Sequence, residues 1–264
     1  MPNLMSLRSD AAGELGKLME RFQPGADRDT LLSHLELIVR DLHIIAVATL
    51  LVDGNSQGFF LNLCRAAENW RRLHGLLRSR KLAPPPTTKT VPLLAALAAG
   101  HFELAHALAT APTAERLERE EYEDEYLWAS ILRLLARQPP ASTTAVKPLV
   151  TQLHKANKKE YGNRCDLVLA LLAKDRDTFA EAFEKARLDY ELKTEKQAAN
   201  FASPVTAFAP HRFLWLEGLA LLRLAERAGF VLEDADYKYC PPLARVPMTA
   251  KYAGDWAIPA APEP

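Results

Sequence analysis

The sequence predicts an all-α chain, and three observations carry that prediction. Between its breaks the apolar residues recur at intervals of three and four, not two. Runs of β-branched residues joined by hairpin turns are missing. Four stretches rich in proline and small polar residues, 83–92, 138–148, 202–210 and the tail from Pro241, punctuate the helical patterns. With 48% hydrophobic residues in 264, the chain can fill a substantial core. The expected architecture is an irregular, α-solenoid-like array of antiparallel helix pairs. It forms a single compact domain over residues 1–240, followed by an extended proline-containing tail over 241–264.

Before the first break the periodicity predicts helices over 10–22, 28–52 and 56–80. The longest apolar run, Leu42 to Val52, lies in the second of these and is too short to span a bilayer. The N-terminal segment is interrupted by Arg8, Asp10 and Glu14 and lacks the apolar core of a secretory signal, so a soluble cytoplasmic protein with no membrane partner is expected. Next come 91–98 and 101–110, then 114–137, where Thr113 after Pro112 is a plausible N-cap and Glu115 sits in the first turn. The second break precedes 145–158, 164–173 and 176–198, and the third precedes 211–228. A weak echo relates 93–108 to 168–183, matching Leu94 with Leu169, Leu97 with Leu172, Leu104 with Phe179 and Leu108 with Phe183. Both read as helix, tight turn, helix. Two copies do not make a repeat array.

Lysine plus arginine balance aspartate plus glutamate at 33 each, so no global field draws the chain to nucleic acid or to an anionic membrane. The basic stretches 70–81 and 154–164 are expected to balance acidic helices or to stay solvated. Cys64, Cys165 and Cys240 are odd in number, far apart and free of CxxC spacing. They predict small buried residues, neither a disulfide framework nor a zinc site. No HExxH pattern exists, and His101 and His106, five apart, fall on different sides of a helix. There is no glycine-rich phosphate loop and no GxSxG elbow. No enzyme activity, metal or cofactor is expected.

Two acidic features stand out. Glu217 in "HRFLWLEGLALLRLAERAGF" shares a helix face with Phe213, Ala220, Leu221, Leu224 and Ala228, so it is expected to be buried and to need a cationic or hydrogen-bonding partner. A perturbed carboxylate in a cleft also serves as a general acid or base. No second positioned acid or nucleophile accompanies this one, which favours a structural ion pair. The second feature is "EREEYEDEYLWASILRLL" from Glu118. Read as helix, it places Glu120 and Asp124, and Glu121 and Glu125, as like-charge pairs four apart, each costing a few tenths of a kcal/mol. A solvated charged face and an acidic surface for a basic partner both account for it. Tyr122, Tyr126 and Trp128 favour the partner.

"FLWLEGLALLRLAERAGF" (213–230), with Glu217–Gly218 inside an apolar helix, resembles the C-terminal core segment of the immunity-49 family of bacterial polymorphic toxin systems. "HIIAVATLLVDGNSQGFFLNLCRAAENW" (43–70) and "RCDLVLALLAKDRDTFAEAFEKA" (164–186) agree with it. The resemblance spans about residues 30 to 245. It implies an all-helical cytoplasmic antidote that binds a cognate toxin one to one and occludes its active site or substrate channel, with no catalytic residues of its own. Arg164, which opens the second of these helices, is the expected partner of Glu217. Glu120, Glu121, Tyr122, Asp124, Glu125 and Tyr126 are the expected toxin-binding residues, on the charge pattern of this chain alone. A toxin that attacks nucleic acids, with a basic active site, fits such a surface. The alternative is a general helical scaffold for another protein or RNA. Nucleic acid is not the expected partner.

Overall fold

In the computed structural model, residues 3–200, 205–232 and 236–260 are described. The last four residues of the expected tail, and 202–204 of the third proline-containing stretch, lie outside them. Among the described residues the regular structure is helical: α1 (Leu4–Arg21), α2 (Arg28–Asp53), α3 (Ser56–Ser79), α4 (Val91–Ala98), α5 (Phe102–Thr110), α6 (Glu123–Ala136), α7 (Thr143–Ala173), α8 (Arg176–Ala198), α9 (Val205–Phe213) and α10 (Leu216–Arg227). Each helix from α1 to α8 packs on its successor, while α9 returns to α2 and α10 packs on α4. Those two returns close the succession of pairs into one domain. No helix among the described residues is long and apolar enough to cross a membrane.

Where the ends of a helix are set locally, the structure agrees with the sequence to within a residue or two. Asp27 caps α2 by accepting from the Thr30 N–H at 2.9 Å, and Gly54 ends it at φ +63°, the left-handed conformation glycine adopts without strain. Asp175 caps α8 in the same way through Thr178 at 3.1 Å. α4 is buried all round, and its alanines let α10 approach closely. Within the same core, aromatic rings gather around α8, with Phe183 5.3 Å from Trp215 in a tilted contact and 4.7 Å from Tyr237 in an edge contact, between ring centroids.

Four boundaries differ from expectation. α1 begins at Leu4, capped by Asn3, rather than at residue 10. α6 begins at Glu123 rather than at 114. The two helices expected over 145–158 and 164–173 are both present as the halves of α7, but they meet directly at Asn157, whose φ of −155° and ψ of 71° are not helical, instead of being separated by residues 159–163. The helix expected over 211–228 is broken at Leu214 and Trp215 into α9 and α10. There the Trp215 N–H donates to the Tyr239 carbonyl at 2.9 Å, and its indole lies over Gly218, where a Cβ would meet the ring at 2.2 Å. The echo holds in its second helices, where Leu104, Phe179, Leu108 and Phe183 are all buried, but not at its start, where Leu94 is buried and Leu169 exposed.

Beyond Pro241 the chain makes one short 3-10 turn, Pro242–Ala244, and then runs along α3 without regular structure. Polar residues of α3 hold it there. Asn69 accepts from the Ile258 N–H at 2.9 Å and donates to the Trp256 carbonyl at 2.8 Å, and Arg65 pairs with Asp255 at 2.5 Å. Ile258 is fully buried.

Candidate partner-binding surface

The acidic segment begins in a loop. Glu121 is only 3% exposed, because its carboxylate turns inward. One oxygen accepts from the Leu117 N–H and the other from the Thr88 N–H, each at 2.9 Å. The backbone N–H groups of Glu120 and Glu121 both donate to the Leu117 carbonyl at 2.8 Å. This tight turn is stapled to the loop before α4, which adds bonds from Thr87 Oγ1 to the Ala114 carbonyl and from the Ala114 N–H to the Pro85 carbonyl. A carboxylate satisfied by two main-chain amides is a strong local constraint, and it postpones the helix until Tyr122, the N-cap of α6.

Three expectations are corrected by this geometry. The pairs Glu120 with Asp124 and Glu121 with Glu125 are not neighbours on one helix, so the repulsion inferred for them does not arise in that form. Glu121 does not face solvent, because its charge is matched internally. Thr113 is not an N-cap. The acids that do lie in the first turn of α6, Glu123, Asp124 and Glu125, sit at the positive end of its dipole and are favourable there. Asp124 is half-buried and accepts from Asn157 Nδ2 at 2.7 Å, tying this turn to the kink of α7. Glu118, Glu120, Glu123 and Glu125 remain exposed. Tyr122 is 76% exposed and Tyr126 half-buried.

Arg164 and Glu217 are brought together. Arg164 Nε donates to Glu217 Oε1 at 2.6 Å, and Trp128 Nε1 donates to Oε2 at 2.9 Å, so α6, α7 and α10 meet at one carboxylate. The guanidinium also lies 5.9 Å from the Trp128 ring centre and 5.4 Å from that of Tyr161. Burial, the largest single influence, lowers the Arg164 pKa, but the charge and hydrogen bond of Glu217, with smaller contributions from Tyr161 and Asp189, together outweigh it and the net shift is upward. Glu217 is half-buried rather than buried. Arg223 of the same helix is buried and donates to the Val246 carbonyl at 2.7 Å.

Several of the remaining chemistry-bearing residues have structural partners. All three cysteines are buried, and burial pushes the thiols of Cys64 to about 12 and Cys165 to about 11, so neither is a thiolate at neutral pH. His101 caps α5, and His106 Nδ1 accepts from the Gln138 N–H at 3.0 Å. Among the described residues no three of His, Cys, Asp and Glu are placed to hold a metal ion. In the basic stretches, Arg71 and Arg72 clasp the buried Glu68 at 2.6 and 2.8 Å, and Arg80 donates to the Pro24 carbonyl at 2.7 Å. The inward turn of Glu121 is completed by Thr88, 33 residues away in sequence, whereas Asn157 at the kink also has a local partner, its Oδ1 accepting from the Glu160 N–H at 3.2 Å as an N-cap does.

A family model described as Immunity protein 49 matches residues 88–243, more than half of the chain. That span holds both the acidic segment and the Arg164–Glu217 pair. No curated protein and no solved structure matches.

Proposed function

The chain belongs to the immunity protein 49 family, and from that premise we propose that it acts in the cytoplasm by binding a cognate toxin and occluding its active site, one to one and without turnover. The family match carries this reading. Exposed acids at the start of α6 support a basic partner: Glu120, Tyr122 and Glu125 form the accessible part of the proposed surface, with Asp124 and Tyr126 at its edge and Glu121 holding the loop from within. Such a surface would occupy the place of a phosphate backbone in a nucleic-acid-directed toxin. Complementary charge would raise the association rate more than the final affinity.

The test is co-expression with the toxin-domain product of an adjacent gene, scored by rescue of growth and by co-purification. Purified protein should inhibit that product at a molar ratio near unity, whereas protection at strongly substoichiometric amounts would mean turnover. Glu120→Gln combined with Glu125→Gln should slow association and flatten its dependence on salt, with the fold intact by circular dichroism. An unchanged rate and salt slope would leave the segment a solvated face.

A further inference from the structure

The basic stretch 70–81 is only partly engaged by the fold. Arg71 and Arg72 hold Glu68, and Arg80 donates to the carbonyls of Pro24 and Gly25. Arg78, in the last turn of α3, and Lys81, just beyond it, are exposed, and their side chains have no hydrogen bond or ion pair among the described residues. Both line a cavity of about 280 Å³. The rest of its lining is His74 and four apolar residues, Leu77, Leu82, Pro84 and Pro112.

The positive charge continues onto α6. Arg133 donates to the Ala111 carbonyl, one residue before Pro112, and its charge acts on His74. Arg137, four residues further along, is exposed and its side chain has no partner among the described residues. Burial, reinforced by Arg137 and partly offset by Tyr126, lowers the Arg133 pKa to about 10. Burial and then the Arg133 charge hold His74 at about 4, against the pull of a hydrogen bond to the Pro112 backbone, so its ring is neutral at physiological pH. No carboxylate contributes at either group. Elsewhere the inward cations are matched: Arg164 meets Glu217, and Arg187 meets both Glu184 and Glu191.

The ends of α3 and α6 give some relief, since a helix carries about half a negative charge at its C-terminus. Together they amount to about one charge, against the four of Arg78, Lys81, Arg133 and Arg137. We infer that this cavity binds a small organic phosphate monoester, with its anionic head on Arg78 and Lys81 and its apolar body against Leu82, Pro84 and Pro112. A carboxylate would return one charge, whereas a phosphate monoester returns about 1.5 to 2 at neutral pH. The planar guanidinium matches two phosphate oxygens at once, and the ammonium adds a point charge beside it. Inorganic phosphate alone would leave the apolar walls unfilled. The volume falls just below the usual range for small-molecule sites, which limits the body to one small ring. This site is independent of the toxin reading above.

The test uses the free protein, with phenyl phosphate as the probe, titrated by calorimetry and by NMR at constant ionic strength. It should bind one to one and raise the His74 pKa, because a nearby anion favours the imidazolium. Inorganic phosphate, which has the head without the body, should bind about tenfold more weakly. Phenol and acetate should each bind at least about tenfold more weakly as well, since neither brings the head and the body together. Arg78→Gln combined with Lys81→Gln changes two exposed side chains without partners. This variant should keep the wild-type melting temperature and lose at least about tenfold in affinity for phenyl phosphate. Absence of saturable binding to the wild-type protein overturns the proposal, as does unchanged affinity in the double variant. Equal affinity for inorganic phosphate, phenol or acetate overturns it too, because the head or the walls would then play no part.

Discussion

Glu121 and Glu217 are both carboxylates removed from solvent, but they are received differently. Glu121 meets two main-chain N–H groups, one from its own turn and one from the loop before α4. Glu217 meets a guanidinium and an indole N–H from two different helices. The first arrangement fixes a loop, and its removal should loosen what lies near it. The second holds a charge pair at the meeting of three helices, and removing the cation leaves a half-buried carboxylate with one neutral donor. The general lesson is that an inward carboxylate is tolerated wherever donors match it. How far its loss spreads depends on whether those donors belong to one loop or to several helices.

The largest effect should come from Arg164→Leu, which strands the Glu217 charge and should lower stability by about 3 kcal/mol, read from urea unfolding. Glu217→Gln should cost less, about 1 kcal/mol, because the neutral amide keeps an oxygen acceptor. A wild-type melting temperature for Glu217→Gln together with lost toxin protection would break the comparison and return Glu217 to a functional role.

An intermediate effect is expected for Glu121→Ala, about 1–3 kcal/mol, since two backbone donors lose a charged acceptor. Its signature should be local: faster amide hydrogen exchange at Thr88 and Leu117, with little change at the core of α3. Uniformly faster exchange would show that Glu121 supports the whole fold, as is expected of Glu217.

The smallest effect sharpens the contrast from the other side. Glu120→Gln with Glu125→Gln removes exposed charge from the same segment, and stability should move by no more than about 0.5 kcal/mol in thermal unfolding. A larger loss would mean that these acids have structural partners and are poorly placed to meet a toxin.

Local chemistry explains which elements were legible in the sequence. α2 and α8 are bounded by aspartate caps that bond three residues ahead, and α4 and α5 by a turn at Gly100, whose φ is +73°. Donors and acceptors this close in sequence leave a pattern that can be read. The start of α6 was not legible, because the carboxylate that delays it bonds across to Thr88. The break within α7 was legible to within a few residues, and there Asn157 Oδ1 accepts from the Glu160 N–H three residues ahead while its Nδ2 donates to the distant Asp124. The pairing of Arg164 with Glu217 was anticipated from one apolar helix face and a family resemblance, and the structure adds the indole of Trp128 as the second donor.

By itself the sequence determined the helical class, most helix ends, the buried thiols and the neutral balance of charge, because periodicity and capping act over a few residues. Only the tertiary structure decided which acids face water and that the loop before α4 receives Glu121. Those outcomes depend on hydrogen bonds and packing between residues tens of positions apart. A carboxylate has the same local pattern whether its donor is water or a distant backbone amide, and only the folded chain brings that amide within reach.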